Sequence, residues 1–349
     1  MASIDFTELF AYITAVATDG EWTSKDLSGF GVPDNAVVCI LIENYRATAP
    51  NLCGVRAVGS SLGRYIILHE AESGGRTSCV MHVQTNSTAS IEYYAEVSLQ
   101  TGFTILGYYG SGITYTEEMT EHASVTAAGW RSTAVGQNDT VFEIMCQNDG
   151  GDGNTATNVG CRAVDSAYDY NYYDIHEAEP SGINCYTSYA QSDGSGNIEL
   201  HRGDAYGNFF RLGYFSSNIQ HKETWILTTP ASDATWGEKY VGSVNANTVA
   251  FISCMHQSSG TEESTGARGG ASSVERRWTE HESETDQYTG DTLPVLVDSS
   301  GNIDTYFGDV SDGYFYCFGY LYDTGGAPAA VAPTSVLYGP LCGPLAGPI

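Results

Sequence analysis

FTILGYY, residues 103–109, comes back as FFRLGYF at 209–215 and as YFYCFGYL at 314–321, and this return decides the fold. The Gly-Tyr inside each run, Gly107-Tyr108, Gly213-Tyr214 and Gly319-Tyr320, recurs after 106 and again after 106 residues. Upstream, Gly-x-Arg stands at Gly54-Val55-Arg56, Gly160-Cys161-Arg162 and Gly266-Ala267-Arg268, with the same two spacings of 106. His-Glu-x-Glu follows at His69 to Glu72, His176 to Glu179 and His281 to Glu284, 107 and 105 apart. Trp22, Trp130 and Trp236 keep step, as do Ile91-Glu92, Ile198-Glu199 and Ile303-Asp304. A fixed order of landmarks that drifts by about one residue identifies three copies of one domain of roughly 105 residues.

Within the first copy, AVVCILIENY, GVRAVGS, YIILHEA, SCVMHVQT, SIEYYAEV and FTILGYY read as strands separated by turn residues. Forty glycines and 24 tyrosines suit short strands and tight turns better than helices. The expected fold is all-β, three tandem β-sandwich or jelly-roll-like domains. The repeats are placed at 18–112, 125–218 and 231–323, after an N-terminal segment 1–17. ITYTEEMTEHAS and NIQHKETWILTTPAS are expected to join them as polar surface linkers. Turn residues at Asn86 to Ala89, Asp193 to Asn197 and Asp298 to Asn302 predict a hairpin at one place in every copy. The tail 324–349 carries five prolines, Pro328, Pro333, Pro340, Pro344 and Pro348, and is expected to be an extended arm.

The formal charge of −28 repels phosphate backbones and anionic bilayers, which excludes nucleic acid and membrane surfaces as expected partners. No apolar run reaches the roughly 18 residues that span a bilayer. The first basic residue is Lys25, so a secretory n-region is missing and synthesis in a cytoplasm is expected. Nine cysteines contain no CxxC pair and no zinc spacing, and they read as small buried apolar residues. No cofactor is expected.

His-Glu-x-Glu offers an imidazole and two carboxylates, but on a strand alternate residues face opposite ways, so its ligands do not converge. The glutamates are instead expected to pair with the arginines of the same copy: Arg56 with Glu70, Arg162 with Glu177 and Arg268 with Glu282. Asp149 to Asn154 looks like a calcium loop without the spacing or terminal glutamate of an EF-hand, and reads as a flexible loop. Arg202-Gly203-Asp204 is a tripeptide common by chance. Tyr168, Tyr170, Tyr172 and Tyr173 are dense enough to predict an interaction surface.

The order Gly-x-Arg, small residues with an arginine, a hydrophobic strand, Ile-Glu and a closing Gly-Tyr resembles a β-module repeated in tail and virion-surface structural proteins of tailed bacteriophages. Gly54, Arg56, Gly59, Ser60, Arg64, Ile91, Glu92, Gly107 and Tyr108 carry the resemblance. The second copy departs from it with Asp165 and Ser166 in place of Gly59 and Ser60. The resemblance implies a non-enzymatic, virion-located structural protein, a capsid decoration, tail or fibre component contacting other copies of itself and other virion proteins. It supplies no catalytic residue. The other expectation is a host-adhesion protein that binds surface glycan through exposed aromatic clusters.

Overall fold

The computed structural model describes residues 4–13, 18–45, 50–69, 76–110, 112–122, 127–149, 155–169, 171–177, 183–216, 219–228, 232–242, 248–256, 261–270, 272–282, 289–309 and 313–323. The tail 324–349, Glu70, Tyr170 and residues 150–154 of the acidic loop lie outside them.

Among the described residues, twenty-four strands form three units of eight. Unit one has β1 (Phe6–Ile13), β2 (Thr23–Asp26), β3 (Val37–Asn44), β4 (Asn51–Ala57), β5 (Ile66–Leu68), β6 (Thr77–Gln84), β7 (Ser90–Ala95) and β8 (Thr101–Tyr109). Unit two has β9 (Thr114–Glu121), β10 (Gly129–Ala134), β11 (Val141–Asn148), β12 (Thr155–Ala163), β13 (Tyr172–Glu177), β14 (Asn184–Gln191), β15 (Asn197–Arg202) and β16 (Gly207–Ser216). Unit three has β17 (Ile219–Thr228), β18 (Gly237–Tyr240), β19 (Val249–His256), β20 (Thr261–Gly269), β21 (Arg277–Glu282), β22 (Thr289–Leu296), β23 (Asn302–Phe307) and β24 (Gly313–Asp323).

In unit one the sheets run β1-β8-β3-β6 and β2-β7-β4-β5, and the other two units repeat both orders. Two four-stranded antiparallel sheets connected this way make a jelly roll. The chain is a triple jelly roll, as the turn-rich, tyrosine-rich composition predicts.

Three expectations need correction. The N-terminal segment and both supposed linkers supply β1, β9 and β17, the first strand of each unit, so the units begin earlier than the repeats were placed. The turns at Asn86, Asp193 and Asp298 are present, each with a side-chain oxygen accepting two N–H groups further on, 2.9 and 2.9 Å from Asn86, 2.9 and 2.8 Å from Asp193, 2.7 and 2.9 Å from Asp298. They are not hairpins, because β6 and β7 belong to opposite sheets and the turn carries the chain from one to the other. Third, the arginine pairs form differently, as described below.

The runs that looked uniformly apolar are buried on both faces. Along β3, Val38, Ile40 and Ile42 enter the core of unit one, while Cys39 and Leu41 pack with Val80 and Leu106 into the core cluster of unit three. In the same way Met145 and Leu212 of unit two join the core of unit one, and Met255 and Phe318 of unit three join that of unit two. Each unit thus sets its back on its neighbour in cyclic order. A strand with a core on both sides shows no polar alternation. A fourth cluster gathers Val37, Val141 and Val249 with Tyr109, Phe215 and Leu321, equivalent positions of all three units. The units therefore surround a pseudo-threefold axis.

Gly-Tyr marks a β-bulge. Cys39 faces Gly107 but Ile40 faces Ile105, leaving Leu106 as the extra residue, and the same slip occurs at Gly213 and Gly319. A Cβ on Gly107 would stand 2.6 Å from the Thr7 carbonyl oxygen, and one on Gly213 2.5 Å from that of Thr116.

Candidate assembly interface

The outer sheet, β2-β7-β4-β5 and its counterparts, explains Gly-x-Arg. The Arg56 guanidinium binds Glu92 at 2.7 Å, Arg162 binds Glu199 at 2.6 Å, and Arg268 binds Asp304 at 3.2 Å. These carboxylates belong to the Ile-Glu and Ile-Asp landmarks and sit directly across the sheet, as in the register Arg56 to Glu92. The same guanidiniums lie 4.1, 4.0 and 4.1 Å over the rings of Trp22, Trp130 and Trp236. Each also donates to a loop carbonyl, that of Leu62, Tyr168 or Val274, at 3.0, 3.2 and 3.3 Å.

Two of the expected partners, Glu177 and Glu282, are out of reach. Glu177 stands opposite Thr155 and Glu282 opposite Thr261, seven residues from Arg162 and Arg268, about 23 Å at roughly 3.3 Å per residue. In unit one the expected partner, Glu70, lies outside the described residues.

The glycine of Gly-x-Arg lies between large side chains on flanking strands. Tyr65 and Tyr94 meet over Gly54 with ring centroids 4.7 Å apart, and Tyr172 stacks on His201 over Gly160 at 4.2 Å. A Cβ at Gly54, Gly160 or Gly266 would stand 1.9, 2.1 or 2.1 Å from a backbone carbonyl oxygen. The tyrosine cluster of unit two therefore divides. Tyr172 belongs to this outer row, Tyr168 is half-buried, and Tyr173 is buried against Trp225, Tyr316 and Phe318 of unit three. Neighbouring strand residues point to opposite faces, so Tyr172 and Tyr173 do not share one surface.

A second threefold set holds the units together. Glu8, Glu117 and Glu223 occupy one register position, across from Gly107, Gly213 and Gly319. Glu117 accepts the N–H of Ala57 at 2.6 Å, Glu223 that of Ala163 at 2.5 Å, and Glu8 that of Gly269 at 2.9 and 3.0 Å. Each of these three amides belongs to the residue that follows the arginine of Gly-x-Arg. Unit two is latched to unit one, unit three to unit two, and unit one back to unit three.

Two latches rest on buried arginines. Arg64, fully buried, meets Glu117 at 3.3 Å and donates to the carbonyls of Val55, His82 and Leu212 at 3.0, 3.1 and 2.9 Å. Arg276 meets Glu8 at 3.1 Å and the carbonyls of Ala267 and Pro294 at 3.3 and 2.9 Å. The third latch has Asn171 at that position. Burying a guanidinium is costly unless its donors are met; carbonyls of two units meet those of Arg64, whereas the carbonyls on Arg276 both belong to unit three and the partner from unit one is the Glu8 carboxylate. Burial pushes the Glu117 carboxyl above the usual carboxylate range while Arg64 pulls it back; Glu223 is likewise raised by burial.

On the axis, Thr77, Asn184 and Thr289 share one register position. Asn184 lies 3.2 Å from Thr77 through its side-chain oxygen and 3.2 Å from Thr289 through its side-chain nitrogen. Elsewhere the seams differ. Between units one and two, the Glu143 carboxylate accepts the His82 ring and backbone nitrogens at 2.8 and 3.1 Å and the Tyr115 hydroxyl. Between two and three, Tyr189 stacks on Phe251 at 3.6 Å. Between three and one, Ser78 meets two carboxyl groups, Glu280 and Asp291.

Of these residues sequence reasoning had singled out only Arg64, as part of a resemblance. A signal existed: Phe6-Thr7-Glu8, Tyr115-Thr116-Glu117 and His221-Lys222-Glu223 are a ring residue two before a glutamate, 109 and 106 residues apart. Among the described residues, no group of three or more His, Cys, Asp or Glu side chains could hold a metal ion. The eight cysteines among the described residues are buried free thiols.

No family model and no curated protein matches the chain. Among solved structures, one described as the atomic structure of Sulfolobus Turreted Icosahedral Virus covers 92% of this chain and 91% of its own at 8% identity, with a TM-score of 0.21. Another, described by the triple jelly roll fold and turret assembly in an archaeal virus, covers 91% of each at 7% identity, TM-score 0.20. The tandem CBM22-1-CBM22-2 domain of Paenibacillus barcinonensis Xyn10C covers 62% of this chain and 92% of its own at 11% identity, TM-score 0.17. Overlap this loose carries no argument about function.

Proposed function

We propose that the chain is a virion structural protein, a non-enzymatic building block whose work is done by contacts between proteins. The observation that carries this reading is the closed set of latches, Glu8 on Gly269, Glu117 on Ala57 and Glu223 on Ala163, which makes three sandwiches one body. The side chains that recur in all three units are engaged with backbone amides, loop carbonyls and one another. Such a body is a rigid part that presents its outer surface to neighbours. The resemblance to a virion-surface module of tailed bacteriophages supports a place as capsid decoration, tail or fibre component, with other copies of the chain and other virion proteins as partners.

Electron microscopy of purified particles tests it. Ordered density for triple units at a fixed copy number is the expected result, and their absence from purified virions defeats the proposal.

A glycan-binding role has one observation in its favour: an aromatic row on the outer sheet of every unit, Trp22 with Tyr65 and Tyr94, Trp130 with Tyr172 and His201, Trp236 with Tyr306. In each row an arginine already covers one indole face. Binding on a glycan array that is lost in Trp130→Ala would favour this second reading.

A further inference from the structure

We infer that the seam between units three and one holds a shared proton between the carboxyl groups of Glu280 and Asp291, and that loss of this proton loosens the ring at that seam. Ser78 of unit one enters unit three and places its hydroxyl oxygen 2.5 Å from one oxygen of Glu280 and 2.8 Å from one of Asp291. A hydroxyl has one hydrogen and can donate it to one of them. The other contact needs a hydrogen of its own, which only that carboxyl can provide. Two ionised carboxylates around one serine would leave an oxygen pair without a proton, in a place that water does not reach.

Among the described residues, the surroundings supply no compensating charge. Ser78 is 2% exposed, and Glu280 and Asp291 are 0% exposed. The Trp278 indole N–H donates to the Glu280 oxygen that also meets Ser78, and the second oxygen of Glu280 has no hydrogen-bond partner among the described residues. Asp291 accepts the backbone N–H of Val80 at 3.2 Å.

The titratable groups facing the pair come from every packed strand. Glu43 of β3 adds a further negative charge; it is held by the Tyr45 hydroxyl at 3.0 Å and, loosely, by Arg76 at 3.9 Å. Glu263 of β20 lies across from Glu280, and Cys254 of β19 across from Asp291. His256 lies two residues beyond Cys254 on β19, and the Cys185 thiol of β14 is acted on by Asp291. The buried cation of the same unit, Arg276, is engaged with Glu8. Burial, reinforced by Asp291, pushes Glu280 well above the carboxylate range, and burial pushes Asp291 up to about 7.

The sign follows from linkage. Groups bound more tightly to protons in the folded state stabilise it fully below their unfolded values, near 4, and that stabilisation is lost as pH rises through about 7. Units one and two, and two and three, are joined by chain, whereas unit three meets unit one through side chains. Deprotonation therefore acts where the ring is closed without a peptide link.

The test is hydrogen exchange on the full chain at acid and at alkaline pH, corrected for the intrinsic pH dependence of amide exchange. The expected result is at least a tenfold rise at alkaline pH in β6, β21 and β22, with β11 and β14 unchanged. Glu280→Gln, an uncharged isostere, is expected to abolish the rise. If that variant does not fold, infrared spectroscopy of the wild type near pH 6 gives the answer: a protonated-carboxyl carbonyl band is expected. A missing band, unaltered exchange in β6 and β22, or a full pH response in Glu280→Gln each overturns the inference.

Discussion

The amide of Gly269 donates to both carboxylate oxygens of Glu8, at 2.9 and 3.0 Å, although 261 residues of chain separate them. The contact joins the first strand of the chain to the third unit and completes a circuit that two similar contacts begin. The three latches are alike in geometry but not in what lies beneath, and this sets an order of energetic cost.

Glu8→Ala and Glu117→Ala each remove the carboxylate from a fully buried arginine, Arg276 or Arg64, and should cost about 3–5 kcal/mol. Glu223→Ala takes the acceptor from the Ala163 amide and the Ser166 side chain, above the neutral Asn171, with no buried arginine left unpaired, and should cost about 1–2 kcal/mol. Urea unfolding of the three variants checks the order. Damage from Glu223→Ala equal to that from the other two would show that the arginines contribute nothing special.

Gly54→Ala, Gly160→Ala and Gly266→Ala all force a methyl group to within 1.9–2.1 Å of a backbone carbonyl oxygen. The strand and the following loop must separate, so each substitution should cost about 3 kcal/mol or more, in the range of severe overpacking. Gly29→Ala is the control, because its Cβ would meet nothing within 4 Å. Melting temperatures of the four variants decide the matter.

Arg162→Met keeps the length of the side chain but removes its bonds to Glu199 and Asp169 and its charge over Trp130. With the Arg162 side chain only 9% exposed, the loss should fall between surface and buried pairs, about 2 kcal/mol. Trp130 emission should shift, since the cation leaves its ring face. Unchanged stability with unchanged emission would refute the assignment.

The eight cysteines buried among the described residues, Cys39, Cys146 and Cys254 among them, should resist alkylation in the native protein and react together on unfolding. Burial pushes the thiols of Cys39 and Cys254 upward, which lowers the reactive thiolate fraction further. Intact mass after brief iodoacetamide treatment, with and without urea, counts the protected thiols.

The jelly-roll class and the threefold repetition were legible because strands, turns and bulges are dictated within one copy. Gly107, Gly213 and Gly319 appear in sequence as a landmark because each occupies the same bulge. Contacts between copies were harder to read. TYTEEMTE looks like a polar linker when its glutamates are assumed to face water, yet Glu117 is turned toward the amide of Ala57 in another unit. The error over Arg162 had a different origin. Glu177 and Glu199 are both near in sequence, and only the register, which sets Glu199 directly opposite, chooses between them.

Thr77, Asn184 and Thr289 meet at the centre as unlike residues, with the amide of Asn184 serving one threonine through oxygen and the other through nitrogen. An assembly of three separate identical chains would have to solve that position with one residue type meeting itself. Fusion of the copies lifts the restriction and lets each interface diverge independently. It also alters the arithmetic of mutation: a harmful change that a homotrimer would suffer three times over is felt here once, leaving two intact junctions to hold the body together.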